Sequence, residues 1–254
     1  MKVMVLIPAR MAATRFPGKP LAKINGKPMI QWVYERSAAS AADAVIVATD
    51  SPEILGAVRA FGGEAVKTRE DHSNGTMRIA EVAEQLDCDV IVNVQGDEPT
   101  IRSEAVDAVI EPMRIDESLE MATLAEPITS HEDLFSPHVV KVVLDKHSRA
   151  LYFSRSPIPF VKHEGMDRIS WQPGTDAGHL RHVGIYAYRR SFLLDYVRQP
   201  ACALEQHEGL EQLRALYMGA RIQVAASRWP TIGVDTPQDV VRAETYLNQE
   251  GRES

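Results

Sequence analysis

Cysteine is nearly absent from this 254-residue chain: Cys88 and Cys202 stand far apart, with no metal or redox spacing between them. That excludes a disulfide framework and a clustered-thiolate metal centre, and it suits a reduced cytoplasm. No apolar run is long enough to span a bilayer, and the first, at residues 3–7, is too short for a signal peptide. Positive charge is not in surplus either. A formal net charge of −7 implies no general affinity for nucleic acid or membrane surfaces. Internal repeats and low-complexity segments are missing, and composition is that of an ordinary globular protein. A chain of this length can bury roughly 70–75% of its unfolded surface in one core.

What is present is alternation. Residues 3–7 are continuously apolar, as in a strand buried on both faces, and Pro8, which cannot donate to a ladder, is expected to close it. AVIVA at 44–48 and DVIVNV at 89–94 repeat that pattern, and 64–68 reads as a further strand. Between them, Pro28 suits the first position of a helix running to about Ala39, and a helix over 52–61 stops at Gly62-Gly63. A helix entering at Thr76 follows the polar loop 69–78. Strand–helix alternation predicts a mostly parallel sheet with helices on both faces, and ligands bind outside the carboxyl ends of such strands. The loop from Arg10 to Lys19, Asp50 and the loop after Thr68 then share one rim.

The second half predicts a helix over 103–113, a strand over 121–125, and a hairpin of 139–144 with 150–154, so that the sheet turns mixed or a second small sheet begins. Residues 156–177 lack any period and read as a long loop over the site. A strand over 180–188 places His182, Gly184, Tyr186 and Tyr188 on one face. One helix over 205–219, a strand over 221–226 and a last helix opened by Thr236-Pro237, fraying from about Gln249, complete the chain.

Three stretches carry chemistry. The loop after the first strand holds Arg10, Arg15 and Lys19 among small residues, with Pro17 and Pro20 around Gly18. Small residues let several amides converge on an anion, and fixed cations in one loop suit a polyphosphate. No GK[ST] closes this loop, so it is not a Walker motif, and it is not GxGxxG. In QGDEP, Asp97 leaves a central strand opposite the basic loop, where a carboxylate that binds Mg²⁺ belongs. In GVDTP, Asp235 precedes a helix start, with Thr236 as cap.

IPAR–x4–R–x–PGKPL, QGDEP, LYFSR, RH–x–GIY, LEQLR and VDTP occur in that order over nearly the whole chain. Together they resemble the acidic-sugar cytidylyltransferases; residues 156–177 match least. The resemblance implies a Rossmann-like three-layer α/β/α nucleotide-diphospho-sugar transferase fold with a mostly parallel, mixed sheet. It implies one nucleotidyltransferase domain over 1–254, with a β-rich sugar-binding and dimerisation subregion at about 139–200.

The implied reaction is CTP plus 3-deoxy-manno-octulosonate (Kdo) giving CMP-Kdo and pyrophosphate, for lipopolysaccharide synthesis; another acidic sugar, 8-amino-Kdo or sialic acid, is the alternative. By the same resemblance, Lys19, Arg10, Asp97 and Asp235 are catalytic, and Pro8, Ala9, Arg10, Lys19, Gly75, Arg78 and Asp97 bind the nucleotide. Arg15, Gln95, Arg155, His182, Tyr186, Glu211 and Gln212 bind the sugar acid. Asp97 and Asp235 hold Mg²⁺, with a second Mg²⁺ carried by CTP. The implied assembly is a cytoplasmic homodimer that takes CTP and Kdo, with no nucleic acid and no membrane insertion. Asn74 and Met77 stand where the family shows Ser and an acid. Taken singly, Asn74-Gly75-Thr76 reads as an ordinary helix cap, Arg155 as a surface Arg, and Glu211-Gln212 as a solvated helix face. A sugar-nucleotide glycosyltransferase would carry a DxD-like metal motif and often a membrane attachment, and no apolar run here is long enough for the latter. A catalytically silent nucleotide-binding regulator has no need of both Asp97 and Asp235.

Overall fold

β1 (Val3–Ala9) is the axis of the molecule, and every residue of it is buried. The computed structural model describes residues 1–12, 16–161 and 178–253. Arg15 and residues 162–177 lie outside the described residues. After β1 come a 3₁₀ turn at Lys19–Leu21, a small antiparallel hairpin of β2 (Lys23–Ile24) and β3 (Lys27–Pro28), and helix α1 (Met29–Ala38). The first half continues with β4 (Ala44–Thr49), α2 (Pro52–Ala60), β5 (Glu64–Lys67), α3 (Gly75–Ala83), β6 (Val90–Asn93) and α4 (Ser103–Ile115). Then follow β7 (Met121–Pro127), α5 (His131–Phe135), β8 (Lys141–Leu144), β9 (Ala150–Ser154), β10 (Leu180–Arg189) and α6 (Arg190–Arg198). Helices α7 (Ala203–Glu208) and α8 (Gln212–Tyr217), β11 (Ile222–Ala226) and α9 (Pro237–Glu253) end the chain.

The sheet order is β11-β7-β10-β6-β1-β4-β5. β1 runs parallel to β4 and β6, β4 parallel to β5, and β11 parallel to β7, whereas β10 runs antiparallel to β6 and β7. The β8–β9 hairpin joins the same sheet by pairing antiparallel with the start of β10. The sheet is therefore mixed, and no separate second sheet forms there. Alternate residues of each strand feed two cores. Val3, Val5 and Ile7 pack with α1, α2 and α4 on one face; Met4 and Leu6 pack with α3, α6 and α8 on the other. Burying each such side chain is worth about 1.5–3 kcal/mol, which is why these uninterrupted apolar runs become central strands. A third cluster, Ile24, Met29, Val234, Ala243 and Leu247, fixes α9 and the turn before it against the β2–β3 hairpin.

Several boundaries differ from expectation for physical reasons. Pro8 does not end β1; it pairs in register with Ala48. Leu6, on the same side of the strand as Pro8, accepts from Val94 N at 3.2 Å just as β6 ends, so the donor that Pro8 lacks faces a loop. Pro28 is the residue before α1, with an extended ψ of 140°, rather than its first residue. α3 starts one residue early, at Gly75, because Asn74 Oδ1 accepts from Met77 N at 2.8 Å and serves as the cap. The single helix expected over 205–219 is two, divided at Gly209, whose φ of 61° lies in the left-handed region. The carboxyl end does not fray at Gln249: α9 continues to Glu253, and Glu250 pairs with Arg36 and Arg102.

Candidate active site

The carboxyl ends of β1, β4, β5 and β6 form the rim expected from the alternation, and two close backbone approaches draw it together. A Cβ on Gly96 would lie 2.8 Å from Pro8 O, and one on Gly75 would lie 2.9 Å from Pro8 Cγ. The end of β1, the start of α3 and the loop after β6 thus meet with no space for side chains. Arg78, buried on α3, completes the rim: its guanidinium donates to Thr68 Oγ1 and Arg69 O and pairs with Asp50 at 3.4 Å. The cavity enclosed, of about 340 Å³, is lined by Pro8, Ala9, Arg10, Lys19, Gly75 and Arg78, together with His72, Gln95, Asp97 and Asp235. His72 is hydrogen-bonded to Glu81. Gly18, with φ of 74°, allows the tight turn that delivers Lys19.

Lys19 Nζ donates to Asp97 Oδ2 at 2.6 Å, to Asp235 Oδ1 at 3.3 Å and to Val234 O at 3.1 Å. Val234 N in turn donates to Asp97 O at 2.8 Å, locking the two loops together. Asp239 Oδ2 accepts from Asp235 N at 3.2 Å, from Thr236 N at 2.9 Å and from Thr236 Oγ1 at 2.8 Å. Burial works against the Asp239 carboxylate, yet these hydrogen bonds outweigh it and hold its pKa below the usual range. The VDTP turn is therefore a rigid helix start that leaves the Asp235 carboxylate facing Asp97.

Two carboxylates converging on one cationic nitrogen offer hard oxygen donors to a divalent ion in the same place, so the residues fit Mg²⁺. Among the described residues no cluster of three or more His, Cys, Asp or Glu could hold a metal ion, so its remaining ligands would be phosphate oxygens and water. Beside them, burial, reinforced by the neighbouring Asp97 charge, pushes the Glu98 carboxyl up to about 8.

A second cavity, of about 520 Å³, opens from the first; Gly75 and Gln95 line both. Its walls include Glu98, Arg181, His182, Tyr186, Glu211 and Gln212. Thr76 Oγ1, on the first turn of α3, donates to Glu211 Oε2 at 2.9 Å, so one helix start connects both chambers. Burial raises the Glu211 carboxyl against the opposing Thr76 hydrogen bond, raises the Tyr186 phenol, and pushes His182 down to about 3. The expected face of β10 survives a bulge: register passes from Val183 opposite Leu124 to Tyr186 opposite Thr123, and skipping two residues preserves the alternation.

Most of the expected residues meet in these chambers. Arg155 does not. Its guanidinium donates to Glu208 O at 2.6 Å, Pro137 O at 2.8 Å and Gly209 O at 3.3 Å, and it lines neither cavity. It braces the Gly209 turn that separates α7 from α8. The one Lys or Arg that lines the second cavity, among the described residues, is Arg181, paired with Glu126. Sequence reasoning passed over it although it is the first letter of the RH pair. It read Thr76 only as part of a helix start.

A family profile described as Cytidylyltransferase matches residues 4–222. The 3-deoxy-manno-octulosonate cytidylyltransferase of Pelobacter propionicus is 53% identical over 251 residues, covering 96% of this chain and 96% of that protein. The protein of the same description from Geobacter metallireducens is 50% identical, covering 98% and 99%. Among solved structures, CMP:2-keto-3-deoxy-manno-octonic acid synthetase complexed with CTP superposes with a TM-score of 0.89 at 44% identity, over 98% of this chain and 100% of that one. The 4-diphosphocytidyl-2C-methyl-D-erythritol synthase of Anaerococcus prevotii shares the fold alone, with a TM-score of 0.63 at 12% identity, over 97% and 98% of the two chains. The resemblance seen in the motifs and the match along the whole chain agree: the chain belongs to the cytidylyltransferase family.

Proposed function

We propose that this protein transfers the cytidylyl group of CTP to Kdo, giving CMP-Kdo and pyrophosphate. The anomeric hydroxyl of the sugar acid attacks the α-phosphorus; the new O–P bond forms as the bond to the β-phosphate oxygen breaks, and the hydroxyl proton is released. The carrying observation is that two cavities share Gly75 and Gln95 as lining, with Asp97 and Asp235 in the wall of the first. On this reading a basic pocket for the nucleotide and a polar pocket for a polyhydroxylated acid lie side by side.

Phosphoryl chemistry asks a protein chiefly for position and charge neutralisation. Arg10 and Lys19 neutralise the triphosphate, Lys19 also stabilising charge in the transition state. Gly75 and the rim drawn together by Arg78 seat the nucleotide, with Pro8 and Ala9 as the backbone wall. Gln95, His182, Tyr186, Glu211 and Gln212 contact the sugar acid. Arg181 supplies the cation for its carboxylate that Arg155 was expected to supply. Asp97 and Asp235 would hold Mg²⁺, a second ion arriving with CTP. When bound, such an ion supplies Lewis acidity toward the α-phosphate and lowers the pKa of the attacking hydroxyl. On this reading no histidine base is needed, and the low pKa of His182 suits a neutral contact.

The enzyme works in this reading as a cytoplasmic homodimer supplying activated sugar for lipopolysaccharide synthesis. No helix among the described residues is long and apolar enough to cross a membrane. The test is pyrophosphate release across a panel of nucleoside triphosphates and sugar acids, with and without Mg²⁺. Kdo with CTP is expected to give the highest kcat/KM; preference for sialic acid or the 8-amino analogue, or turnover without any divalent ion, contradicts the reading.

A further inference from the structure

Where β10 bulges, one hydroxyl of β7 lies against two of its backbone carbonyls. Thr123, fully buried in β7, has Oγ1 2.8 Å from Ile185 O and 3.2 Å from Val183 O. The same Oγ1 lies 3.0 Å from His182 Nε2. A hydroxyl has one proton to give, and a carbonyl can only accept. If that proton went to the imidazole, the hydroxyl oxygen would stand 2.8 Å from the Ile185 carbonyl oxygen with no hydrogen between them, and two oxygens presenting lone pairs repel at that distance. The proton therefore belongs to the bulge carbonyls, and Oγ1 accepts. His182 Nε2 must be the ring nitrogen that bears hydrogen, which leaves Nδ1 with a free lone pair.

The ring cannot easily turn away from this arrangement. Phe153 stands edge-on to it with centroids 5.1 Å apart, and Tyr186 lies across it at 5.3 Å. Among the described residues Nδ1 has no hydrogen-bond partner, and His182 lines the sugar chamber. Burial keeps the imidazole neutral at working pH, so the free lone pair is not lost to protonation.

We propose that Thr123 is a positioning residue: it locks His182 in the Nε2–H tautomer, so that Nδ1 accepts a hydrogen bond from a hydroxyl of the bound sugar acid. This rests on the reading of the second cavity as the sugar chamber. The lock ties substrate recognition to a strand irregularity, since the carbonyls that hold the Thr123 proton lie at the β10 bulge. A Val at this position would keep the shape of the side chain and remove the lock; a Ser would keep it.

The test has two readouts. Nitrogen-15 NMR of the histidine-labelled, substrate-free protein, with His182 assigned by loss of its signals in His182→Gln, should show hydrogen on Nε2 and a bare Nδ1. Thr123→Val should shift that ring toward the other tautomer or a mixture, and Thr123→Ser should not. In steady-state assays Thr123→Val should raise KM for Kdo about tenfold, as loss of one aligned hydrogen bond does, with KM for CTP within about twofold and Thr123→Ser restoring the wild-type value. Hydrogen on Nδ1 in the wild type, or an unchanged KM for Kdo in a folded Thr123→Val protein, overturns the proposal. Should Thr123→Val fail to fold, the wild-type spectrum decides. Failure of the functional reading looks different: the wild type then releases no pyrophosphate with any sugar acid, while the substrate-free spectrum still reports the tautomer.

Discussion

Asp97 and Asp235 aim their carboxylates at the same point, marked by an ammonium nitrogen 2.6 Å from Asp97 Oδ2 and 3.3 Å from Asp235 Oδ1. Most of the chain separates them in sequence, and their loops are tied together by hydrogen bonds that include Val234 N to Asp97 O at 2.8 Å and Ile232 N to Thr100 Oγ1 at 2.7 Å. With both side chains partly exposed, the Lys19 pairs contribute little to stability. Their significance is in placing three charged groups where a phosphate chain and a metal ion would meet.

Lys19→Ala is therefore expected to slow turnover by about 10²-fold while leaving thermal stability nearly unchanged, since an oriented charge is lost and little packing goes with it. Removing the ammonium from between two carboxylates should also tighten Mn²⁺ binding to the nucleotide-free protein, measured by electron paramagnetic resonance. An unchanged kcat, or weaker Mn²⁺ binding, would remove Lys19 from the role assigned to it.

Gly96→Ala places a Cβ 2.8 Å from Pro8 O, a backbone atom that cannot swing away. Overpacking of this kind costs about 1–3 kcal/mol, and here it should also spread the rim. Gly184→Ala, whose Cβ meets nothing within 4 Å, serves as the control. Urea unfolding should show a clear loss of stability for the first variant and a much smaller change for the second. Equal behaviour would show that the rim tolerates widening.

His182 gives a pH dependence of stability. Its folded pKa is pushed down to about 3 from an ordinary 6.5, so below 6.5 the unfolded chain takes up a proton that the folded chain refuses. Its contribution is present above pH 6.5 and is lost progressively as pH falls from there toward the folded value. Between pH 7.5 and pH 5 the wild type should lose at most about 2 kcal/mol more than His182→Asn. Denaturant titrations of both proteins at the two pH values check this. Parallel losses would mean that the imidazole is protonated within the fold.

The outline of the site was readable from the sequence because its supports are local. Uninterrupted apolar runs specified β1, β4 and β6, and ligand loops necessarily follow the carboxyl ends of such strands, which located Arg10, Lys19 and Asp97. What escaped depends on tertiary geometry. Whether Arg155 or Arg181 faces the chamber is decided by three backbone carbonyls around Arg155, contributed by segments distant in sequence. The break at Gly209 was hidden because LEQHEGLEQLR keeps a helical character across a residue that adopts a left-handed φ. The role of Thr123 was invisible, since a Thr inside MATLA is an ordinary strand former until a bulge three strands on in sequence supplies its acceptors. Asp235 was found only through its resemblance to a motif, because Asp-Thr-Pro alone is a common helix start.

The most direct test of the shared-cation account is Mg²⁺-dependent pyrophosphate release by Asp97→Asn, Asp235→Asn and the double variant, under single-turnover conditions. Each single variant is predicted to lose about 10²-fold or more, and the double variant to be little worse than the weaker single one, because groups that act as a unit fail together. Near-normal Mg²⁺-dependent release by either single variant, or losses that simply multiply in the double, would contradict a cation held jointly by Asp97 and Asp235.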